Sequence, residues 1–331
     1  MESKGGPRHA DGAATPEVSV VVPIFNETAV LLELQQRLFG VLESACPDHE
    51  IIFVDDGSVD ESPAILLAAA DRNPRVRVLR FSRNFGHQAA VTAGIEHARG
   101  RAVVVIDADL QDPPEVIPEL VAKWREGFDV VSAVRTERPG ESAVRLLLIK
   151  VFYRVLQRIA SVDMTPDVGD FRLLDRRVAD ALNRLPERNR YVRGLIRWLG
   201  FRHTEVRYKR AERFAGETKY PYTKLVRLAL DGVTAFSTLP LRLVTYLGFA
   251  VFGLSVLLVL YALVGRLTSG ATPAGWTSVF VAVAFLSGVQ LVALGILGAY
   301  VSRIFEEVKG RPLYVVASDT AQRPIETRQH E

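Results

Sequence analysis

Cysteine is nearly absent from this chain, and the familiar glycine-rich nucleotide-binding motifs are absent altogether. The 331 residues include one cysteine, Cys46, which excludes an intramolecular disulfide framework and a multi-cysteine zinc site. No G-x-G-x-x-G follows the first apolar run, and no G-x-x-x-x-G-K-[ST] occurs anywhere. The sequence therefore argues against a Rossmann dehydrogenase and against a P-loop NTPase.

A large excess of either charge is also missing, but the charges are segregated along the chain. The net charge is +3 and 48% of the residues are hydrophobic, which excludes a disordered chain and a highly basic nucleic-acid arm. Residues 1–134 carry 12 basic and 21 acidic side chains, residues 135–227 carry 22 and 11, and residues 228–331 carry 7 and 6. We expect three different tasks for these thirds, and no nucleic-acid binding, since no recognised motif accompanies the basic third.

The last third predicts two membrane-spanning helices. Residues 243–265 are a run of 23 without a charge, and residues 267–302 are a run of 36, whereas about 20 apolar residues span a bilayer. The second run begins with turn-forming residues. We therefore place the spans at residues 243–265 and 276–302, within a hairpin of residues 241–303. A buried pair of helices in a soluble protein is the alternative interpretation.

The charges that flank these runs predict the side of the membrane on which the rest of the chain lies. Arg266 is the only charge between the two runs. The outer flanks are richer in basic residues, namely Arg242, Arg303, Lys309 and Arg311. The positive-inside rule then places the N-terminal domain and a C-terminal tail, residues 304–331, on the cytoplasmic side of the inner membrane. Residues 1–16 lack an apolar stretch and predict a disordered tail instead of a signal peptide.

The first third predicts an α/β domain. Short β-branched runs alternate with segments whose apolar residues recur at helical spacing. The predicted strands are residues 18–22, 51–54, 76–81, 103–106 and 130–133, and the predicted helices are residues 28–45, 60–72, 88–98 and 115–126. This alternation indicates a mainly parallel sheet that binds ligands at the carboxyl ends of its strands.

Two acidic clusters fall at such strand ends. Asp55 and Asp56 close the second run, and Asp107 and Asp109 close the fourth. Carboxylates in these places could bind ribose hydroxyls or a base, or hold a divalent cation, and Mg²⁺ prefers one or two carboxylates together with substrate phosphates. In an extended segment, Asp107 and Asp109 point to the same side. A solvated turn is the alternative for D-x-D alone, but its spacing from D-D-G-S favours the cation site.

Four ordered motifs carry a resemblance to a known family. They are V-S-V-V-V-P-I-F-N-E, V-D-D-G-S-V-D, S-R-N-F-G-H-Q-A-A and D-A-D-L-Q-D-P-P-E. Together they resemble glycosyltransferase family two, which has the GT-A fold. The later G-D-F-R-L and R-F-A-G-E-T-K-Y, with the apolar pair, resemble its polyprenyl-phosphate group, which holds undecaprenyl-phosphate glucosyltransferase and dolichol-phosphate mannose synthase. The implied fold class is α/β: a GT-A-type mainly parallel sheet with helices on both faces, then interfacial amphipathic helices and a two-helix transmembrane hairpin.

The resemblance implies an inverting, metal-dependent hexosyltransferase. Its donor would be a nucleotide-diphosphate sugar, UDP-linked by the D-D-G-S form, and its acceptor a polyprenyl monophosphate such as undecaprenyl phosphate. The product would be a lipid-linked sugar for cell-envelope glycosylation. The implied cofactor is Mg²⁺ or Mn²⁺, and the implied assembly is a homodimer or homotetramer. The alternatives are a GDP-mannose-dependent polyprenyl-phosphate mannose synthase and a membrane-anchored transferase with a non-lipid acceptor.

The same resemblance implies roles for particular residues. The nucleotide-sugar set is Pro23, Asn26, Glu27, Asp55, Asp56, Asp107 and Arg135. The metal set is Asp107, Asp109 and Gln111. The acceptor-phosphate set is Arg138, Ser142, Arg213, Lys219 and Tyr220. The catalytic set is Asp170, Asp109 and Arg138.

Asp170 and His87 keep alternative interpretations. Asp170, in G-D-F-R, matches the family's candidate base, and its role as a base or as a positioning residue is open. Its local alternative is the N-cap of a helix over residues 172–182. His87 stands where the family often has Lys, and a structural role in its loop is favoured over catalysis.

Basic amphipathic patterns predict helices that lie in the membrane interface. They cover residues 142–161, within a catalytic domain of residues 17–221, and residues 222–240 before the hairpin. A packed helix with a solvated face is the alternative for residues 142–161. Residues 191–198 also have amphipathic helical spacing, for which packing is the favoured interpretation.

Overall fold

The computed structural model describes residues 15–136, 168–188, 190–209, 239–269 and 275–322. The predicted tail, the predicted interfacial helix at 142–161 and most of the one at 222–240 lie outside these ranges. The chain divides into two compact units. Within the described residues, the first unit contains a sheet with its covering helices, and the second contains two long helices.

The sheet is mixed, mostly parallel, and has eight strands within the described residues. We number the elements in chain order. The strands are β1 (Val18–Ile24), β2 (His49–Asp55), β3 (Val76–Phe81), β4 (Ala102–Val105), β5 (Val130–Arg135), β6 (Val168–Asp175), β7 (His203–Tyr208) and β8 (Val316–Asp319). Their order is β7-β5-β6-β4-β1-β2-β3-β8. β6 runs antiparallel to both of its neighbours and β8 runs antiparallel to β3, whereas the other pairs are parallel.

Helices connect the strands and cover both faces of the sheet. They are α1 (Thr28–Ala45), α2 (Ser62–Arg72), α3 (His87–His97), α4 (Ile117–Arg125), α5 (Arg176–Asn183) and α6 (Val192–Trp198), with a 3-10 turn at Pro114–Val116. One face of β1 packs Val20 and Val22 into a core with α1 and α4. On the other face, Val21 lies against Gly94 of α3. The predicted α/β class, a mainly parallel sheet between helices, is confirmed.

β1 extends beyond its predicted end and includes a proline. Pro23 pairs in register with Val54 of β2. The carbonyl of Val21 accepts a hydrogen bond from Ile106 on the β4 side, and that of Ile24 accepts one from Asp56 on the β2 side. Alternate residues of a strand bond to opposite neighbours, so Pro23, like Val21, faces the β4 side. Pairing with β4 has already ended at Val21, so no partner there needs the N–H that Pro23 lacks. Pro23 therefore interrupts no ladder.

The segment around Asp170 is a strand, so the alternative interpretation as a helix N-cap is wrong. β6 alternates Phe171 and Leu173 toward the core, and its backbone pairs with β4 and β5 on both sides. These two ladders outweigh the helical spacing of the sequence. The helix α5 starts only at Arg176, where Asp175 is the N-cap and accepts a hydrogen bond from the Arg177 backbone at 2.9 Å.

Part of the segment for which the sequence predicted only a tail completes the sheet as β8. Asp319 receives two hydrogen bonds from the Arg77 guanidinium, at 3.0 and 2.7 Å. Tyr314 stacks on Phe81 of β3 with ring centroids 4.9 Å apart, and its hydroxyl donates to Glu96 of α3 at 2.5 Å. These contacts tie residues 314–319 to both β3 and α3.

The second unit contains the helices α7 (Leu239–Ser269) and α8 (Trp276–Val308). The predicted spans at residues 243–265 and 276–302 fall within them. Among the described helices, the segment Phe285–Val308 is long and apolar enough to cross a bilayer. The two-helix transmembrane hairpin itself stays a prediction.

The contact between α3 and β1 yields a stability prediction. A Cβ on Gly94 would lie 2.1 Å from Cγ1 of the buried Val21, so Gly94→Ala should lower the free energy of unfolding by about 1–3 kcal/mol. A Cβ on Gly40, on the exposed side of α1, would meet no atom within 4 Å among the described residues. Gly40→Ala should therefore stabilise by roughly 0.5–1 kcal/mol through helix propensity. Urea unfolding of both variants in detergent checks this, and equal stability of the pair would contradict it.

Candidate active site

The site lies at the carboxyl ends of β1, β2 and β4. β6 contributes its amino end there because it runs antiparallel to β4. Arg172 pairs with Val105, and Asp170 precedes Arg172 by two residues just as Asp107 follows Val105 by two. The register therefore brings Asp170 beside Asp107, which explains how two acids 63 positions apart in the sequence share one site.

The loop after β1 is fastened to the loop after β2. The backbone N–H of Asn26, which has a positive φ of 56°, donates to Oγ of Ser58 at 3.0 Å, and Oδ1 of Asn26 accepts from the Val59 backbone at 3.0 Å. The backbone N–H of Glu27 donates to Oγ of Ser62 at 3.0 Å. These reciprocal bonds hold the predicted Asn26 and Glu27 next to the D-D-G-S loop.

Asp55 and Asp56 are both buried, and both make contacts that shape the site. Oδ1 of Asp55 accepts from the Ser58 backbone at 2.9 Å, and Oδ2 lies 3.2 Å from Nε of Arg80. Asp56 accepts from the backbone N–H groups of Phe85 and Gly86 at 2.6 and 2.9 Å. Burial raises the pKa of Asp56 although these two bonds oppose the shift. Asp56 thus holds in place the loop that leads to His87.

Gly57 allows that loop to approach. Its φ is +72°, a region that favours glycine, and a Cβ there would lie 2.4 Å from the carbonyl carbon of Arg83. The D-D-G-S motif therefore allows the loop after β2 and the loop that leads to His87 to pack closely against each other. Its contacts with a nucleotide stay a prediction.

His87, Asp107 and Asp170 form the centre of the site. Nε2 of His87 lies 3.1 Å from Oδ2 of Asp170 and 3.6 Å from Oδ1 of Asp107. Burial opposes protonation of His87, but the hydrogen bond with Asp170 and the charge of Asp107 outweigh it and raise the pKa of His87. Burial and the neighbouring acids raise the pKa of Asp107 to about 6, despite the opposing effect of His87.

Arg193 of α6 completes this centre. Its Nε and Nη2 donate to Oδ1 and Oδ2 of Asp170 at 2.7 and 2.8 Å. Burial of Asp170 would raise its pKa, but the bonds from Arg193 and His87 outweigh burial and hold the pKa far below the usual range. Asp170 is therefore ionised at any physiological pH, and both of its oxygens are engaged.

The loop after β4 carries the predicted metal set. Leu110 has a positive φ of 59°, and Oδ1 of Asp109 accepts from the Gln111 backbone at 3.1 Å. Oδ1 of Asp107 and Oε1 of Gln111 are buried, and neither accepts a hydrogen bond within the part of the chain that the structure describes. Buried oxygen atoms normally have partners, and carboxylate and amide oxygens are ligands of Mg²⁺ and Mn²⁺. The residues present therefore fit a hard divalent cation.

Arg135 lies in a second buried network. Its Nη2 lies 3.1 and 3.3 Å from the two oxygens of the fully buried Asp112, and its Nε donates to the Tyr208 hydroxyl at 3.1 Å. The Tyr208 hydroxyl donates in turn to Asp112. The Thr136 backbone donates to the Tyr208 carbonyl at 3.0 Å. The ends of the parallel strands β5 and β7 are thus held together.

The predicted site residues fall partly inside and partly outside the described ranges. The structure brings Asp107 and Asp170 together and places Asp55, Asp56, Asn26 and Glu27 in fastened loops at the same edge of the sheet. The acceptor set lies outside the described residues: Arg138, Ser142, Arg213, Lys219 and Tyr220.

Sequence reasoning missed four polar residues, Asp112, Arg172, Arg193 and Tyr208. Arg193 lies in a segment whose amphipathic spacing predicts a packed helix, and no local pattern marks Asp112, which follows D-x-D. Arg172 is buried and donates to the Gly169 carbonyl at 2.5 Å. These residues meet their partners through strand register and helix packing, neither of which can be derived from local spacing.

Comparison with known proteins gives consistent matches. The sequence model of the family described as glycosyl transferase family 2 matches residues 19–182. The "uncharacterized glycosyltransferase YkcC" of Bacillus subtilis (strain 168) is 48% identical over 300 residues, which are 91% of this chain and 93% of the relative. A "bactoprenol glucosyl transferase" of Shigella phage SfII is 41% identical over 300 residues, which are 91% of this chain and 97% of the relative.

Among solved structures, one similar chain is glucosyl-3-phosphoglycerate synthase from Mycobacterium tuberculosis in complex with Mn²⁺, UDP and phosphoglyceric acid. It superimposes with a TM-score of 0.48 at 20% identity, over 69% of this chain and 82% of that chain.

The raised pKa of Asp107 predicts that this acid destabilises the protein when no cation is bound. The folded chain keeps a proton that the unfolded chain has released, so stability falls as the pH rises from about 4 to about 6 and stays lower above that. Asp107→Asn should therefore raise the free energy of unfolding at pH 7.5 by about 2 kcal/mol, and the gain should shrink toward pH 4.

Thermal unfolding of both proteins across this pH range measures the effect. Mn²⁺ should raise the melting temperature of the wild type but not that of Asp107→Asn, because a ligand stabilises the state that binds it. A pH-independent gain, or equal stabilisation of both proteins by Mn²⁺, would contradict the role given to Asp107.

Proposed function

Because this chain belongs to glycosyl transferase family 2, we propose that it transfers a hexose from a nucleotide-diphosphate sugar to a polyprenyl monophosphate at a membrane surface. The observation that carries the proposal is an acid-rich centre at the carboxyl ends of β1, β2 and β4. It occurs in a chain that is 41% identical to a bactoprenol glucosyl transferase over 91% of this chain and 97% of that relative. We take UDP-glucose as the donor and undecaprenyl phosphate as the acceptor. A GDP-mannose-dependent polyprenyl-phosphate mannose synthase stays the alternative, and a panel of nucleotide sugars distinguishes the two.

The donor would lie against the loops after β1, β2 and β4. Pro23, Asn26 and Glu27 with Asp55 and Asp56 would line the nucleotide pocket. The metal set, Asp107, Asp109 and Gln111, would hold Mg²⁺ or Mn²⁺. The cation neutralises charge on the departing nucleoside diphosphate when it is bound. The buried oxygens of Asp107 and Gln111 without hydrogen-bond partners in the described residues support this placement.

The acceptor phosphate would be bound by the two segments that leave β5 and β7. These segments contain the five predicted acceptor residues, and both start where Arg135 pairs with Tyr208. Arg135 fixes that starting point through Asp112 and Tyr208, so we assign it to positioning these segments and not to direct contact with the sugar. An excess of basic residues in this third of the chain suits an anionic lipid.

Transfer needs little help from a general base. A phosphate monoester has a second pKa near about 6, so the attacking oxygen is already largely anionic at neutral pH. Asp170, with its pKa far below the usual range, is a poor proton acceptor. We therefore favour a positioning role for Asp170 over a base, while the acceptor oxygen attacks the anomeric carbon from the face opposite the leaving diphosphate.

Chain topology supports two membrane crossings. β8 follows α8 in the chain and pairs with β3, which precedes α7. Both ends of the helical segment therefore belong to one sheet, and a sheet lies on one side of a membrane. If α8 crosses the bilayer, the chain must cross an even number of times, and α7 supplies the second crossing. The basic flanks at Arg242, Arg303, Lys309 and Arg311 favour a cytoplasmic sheet. The dimer or tetramer implied by the resemblance is part of this proposal.

A transfer assay tests the proposed reaction. Purified enzyme with undecaprenyl phosphate and a panel of radiolabelled nucleotide sugars should move label into the lipid extract, most with UDP-glucose, and EDTA should abolish the transfer. Asp109→Ala should lower kcat by about a hundredfold. Asp48→Ala, an exposed acid at the opposite edge of the sheet, should leave kcat within about twofold. Label that stays in water with every donor would refute the proposal.

Single-cysteine labelling tests the topology. Cys46 is fully buried, so a new surface cysteine dominates the reaction with an impermeant maleimide. Ser269→Cys, at the end of α7, should react in intact spheroplasts, whereas Ser318→Cys, on the exposed side of β8, should react only after lysis. Reaction of both variants from the same side would contradict the two-span arrangement.

A further inference from the structure

We propose that Arg193 is a positioning residue of the transfer reaction, which acts by fixing the orientation of the Asp170 carboxylate. The inference rests on the proposed function. It starts from the two-pronged contact between the guanidinium and both oxygens of Asp170, at 2.7 and 2.8 Å. Two parallel N–H···O bonds define the plane of a carboxylate as well as its place.

The contact leaves Asp170 no other orientation. His87 takes a further position on Oδ2, at 3.1 Å. Rotation of the carboxylate would break hydrogen bonds from both Arg193 and His87. Little water could replace these bonds, because the Asp170 side chain is only 5% exposed. Arg172, two residues along the same strand, donates to the Gly169 carbonyl and not to Asp170. Among the described residues, Arg193 is therefore the arginine that pairs with Asp170 directly.

This orientation matters because Asp107 lies beside Asp170. The facing groups of His87, Asp107 and Asp170 all lie within 4.8 Å of one another. Two carboxylates so close repel each other unless a cation compensates one of them. Arg193 compensates Asp170 and leaves Asp107 to the proposed metal set. A loose or uncompensated Asp170 would compete for the same cation.

The helix α6 holds Arg193 in place by contacts that do not involve its guanidinium. Val192, Leu195 and Ile196 are buried, and the Val192 backbone donates to Oε1 of Gln88 on α3 at 3.2 Å. α6 should therefore stay docked when the guanidinium is removed. The same helix offers a matched control in Arg197, one turn later, whose guanidinium pairs with Glu205 at 4.0 Å and not with Asp170.

The test is a double-mutant cycle on the full-length enzyme, with kcat and KM measured for donor and acceptor. Arg193→Gln should lower kcat about a hundredfold and change the donor KM by less than about threefold. Arg193→Lys should recover about tenfold of that loss, since lysine keeps the charge but not the fork. Arg197→Gln should stay within about twofold of wild type.

The decisive comparison is Asp170→Asn with and without Arg193→Gln. If Arg193 acts through Asp170, the double variant has the same kcat as Asp170→Asn alone. This comparison also serves if Arg193→Gln alone does not fold, because the double variant removes both charges of the buried pair. A further loss in the double variant, or a loss confined to KM, overturns the inference.

The outcome is separable from that of the proposed function. A wild type that transfers label to lipid while the two losses add in the cycle would refute only the role of Arg193. A wild type that leaves label in water with every donor would refute the proposed function. The wild type, Arg193→Gln, Asp170→Asn and the double variant would then be compared for hydrolysis of the nucleotide sugar. The double variant should again have the same kcat as Asp170→Asn alone.

Discussion

The antiparallel register of β6 against β4 is the constraint on which the site depends. It sets Asp170 opposite Asp107, so that two acids share a buried edge of the sheet. Such a pair is stable only if its charges are compensated. The guanidinium of Arg193 and the imidazole of His87 provide that compensation for Asp170. The centre is thus built around this one pairing, and groups from two helices complete it.

The two acids differ because their neighbours differ. Asp170 pairs with cations on both oxygens and has a lowered pKa, whereas Asp107 keeps a buried oxygen without a hydrogen-bond partner in the described residues and has a pKa raised to about 6. Asp170 is thus held as an anion in a fixed orientation. Asp107 keeps an oxygen that is available to the proposed cation.

The sequence predicted the parts of this arrangement that local patterns determine. The β-branched runs and the acids at their ends belong to strand-loop units, so Asp55 and Asp107 could be placed from spacing alone. Arg193, Asp112 and Tyr208 could not, since each meets its partner through strands or helices that lie far apart in the sequence. The same reason accounts for β6, which pairs on both sides although its residues also suit a helix.

The last strand, β8, connects residues that follow the two long helices to the loop that carries His87. β8 brings Tyr314 onto Phe81, and Phe81 meets the edge of the Phe85 ring at 5.7 Å. Phe85, which lies two residues before His87, donates its backbone N–H to Asp56. A continuous row of contacts thus runs from the chain beyond α8 to the loop that carries His87. The residues that follow the two long helices therefore contribute to the packing around the loop that carries His87.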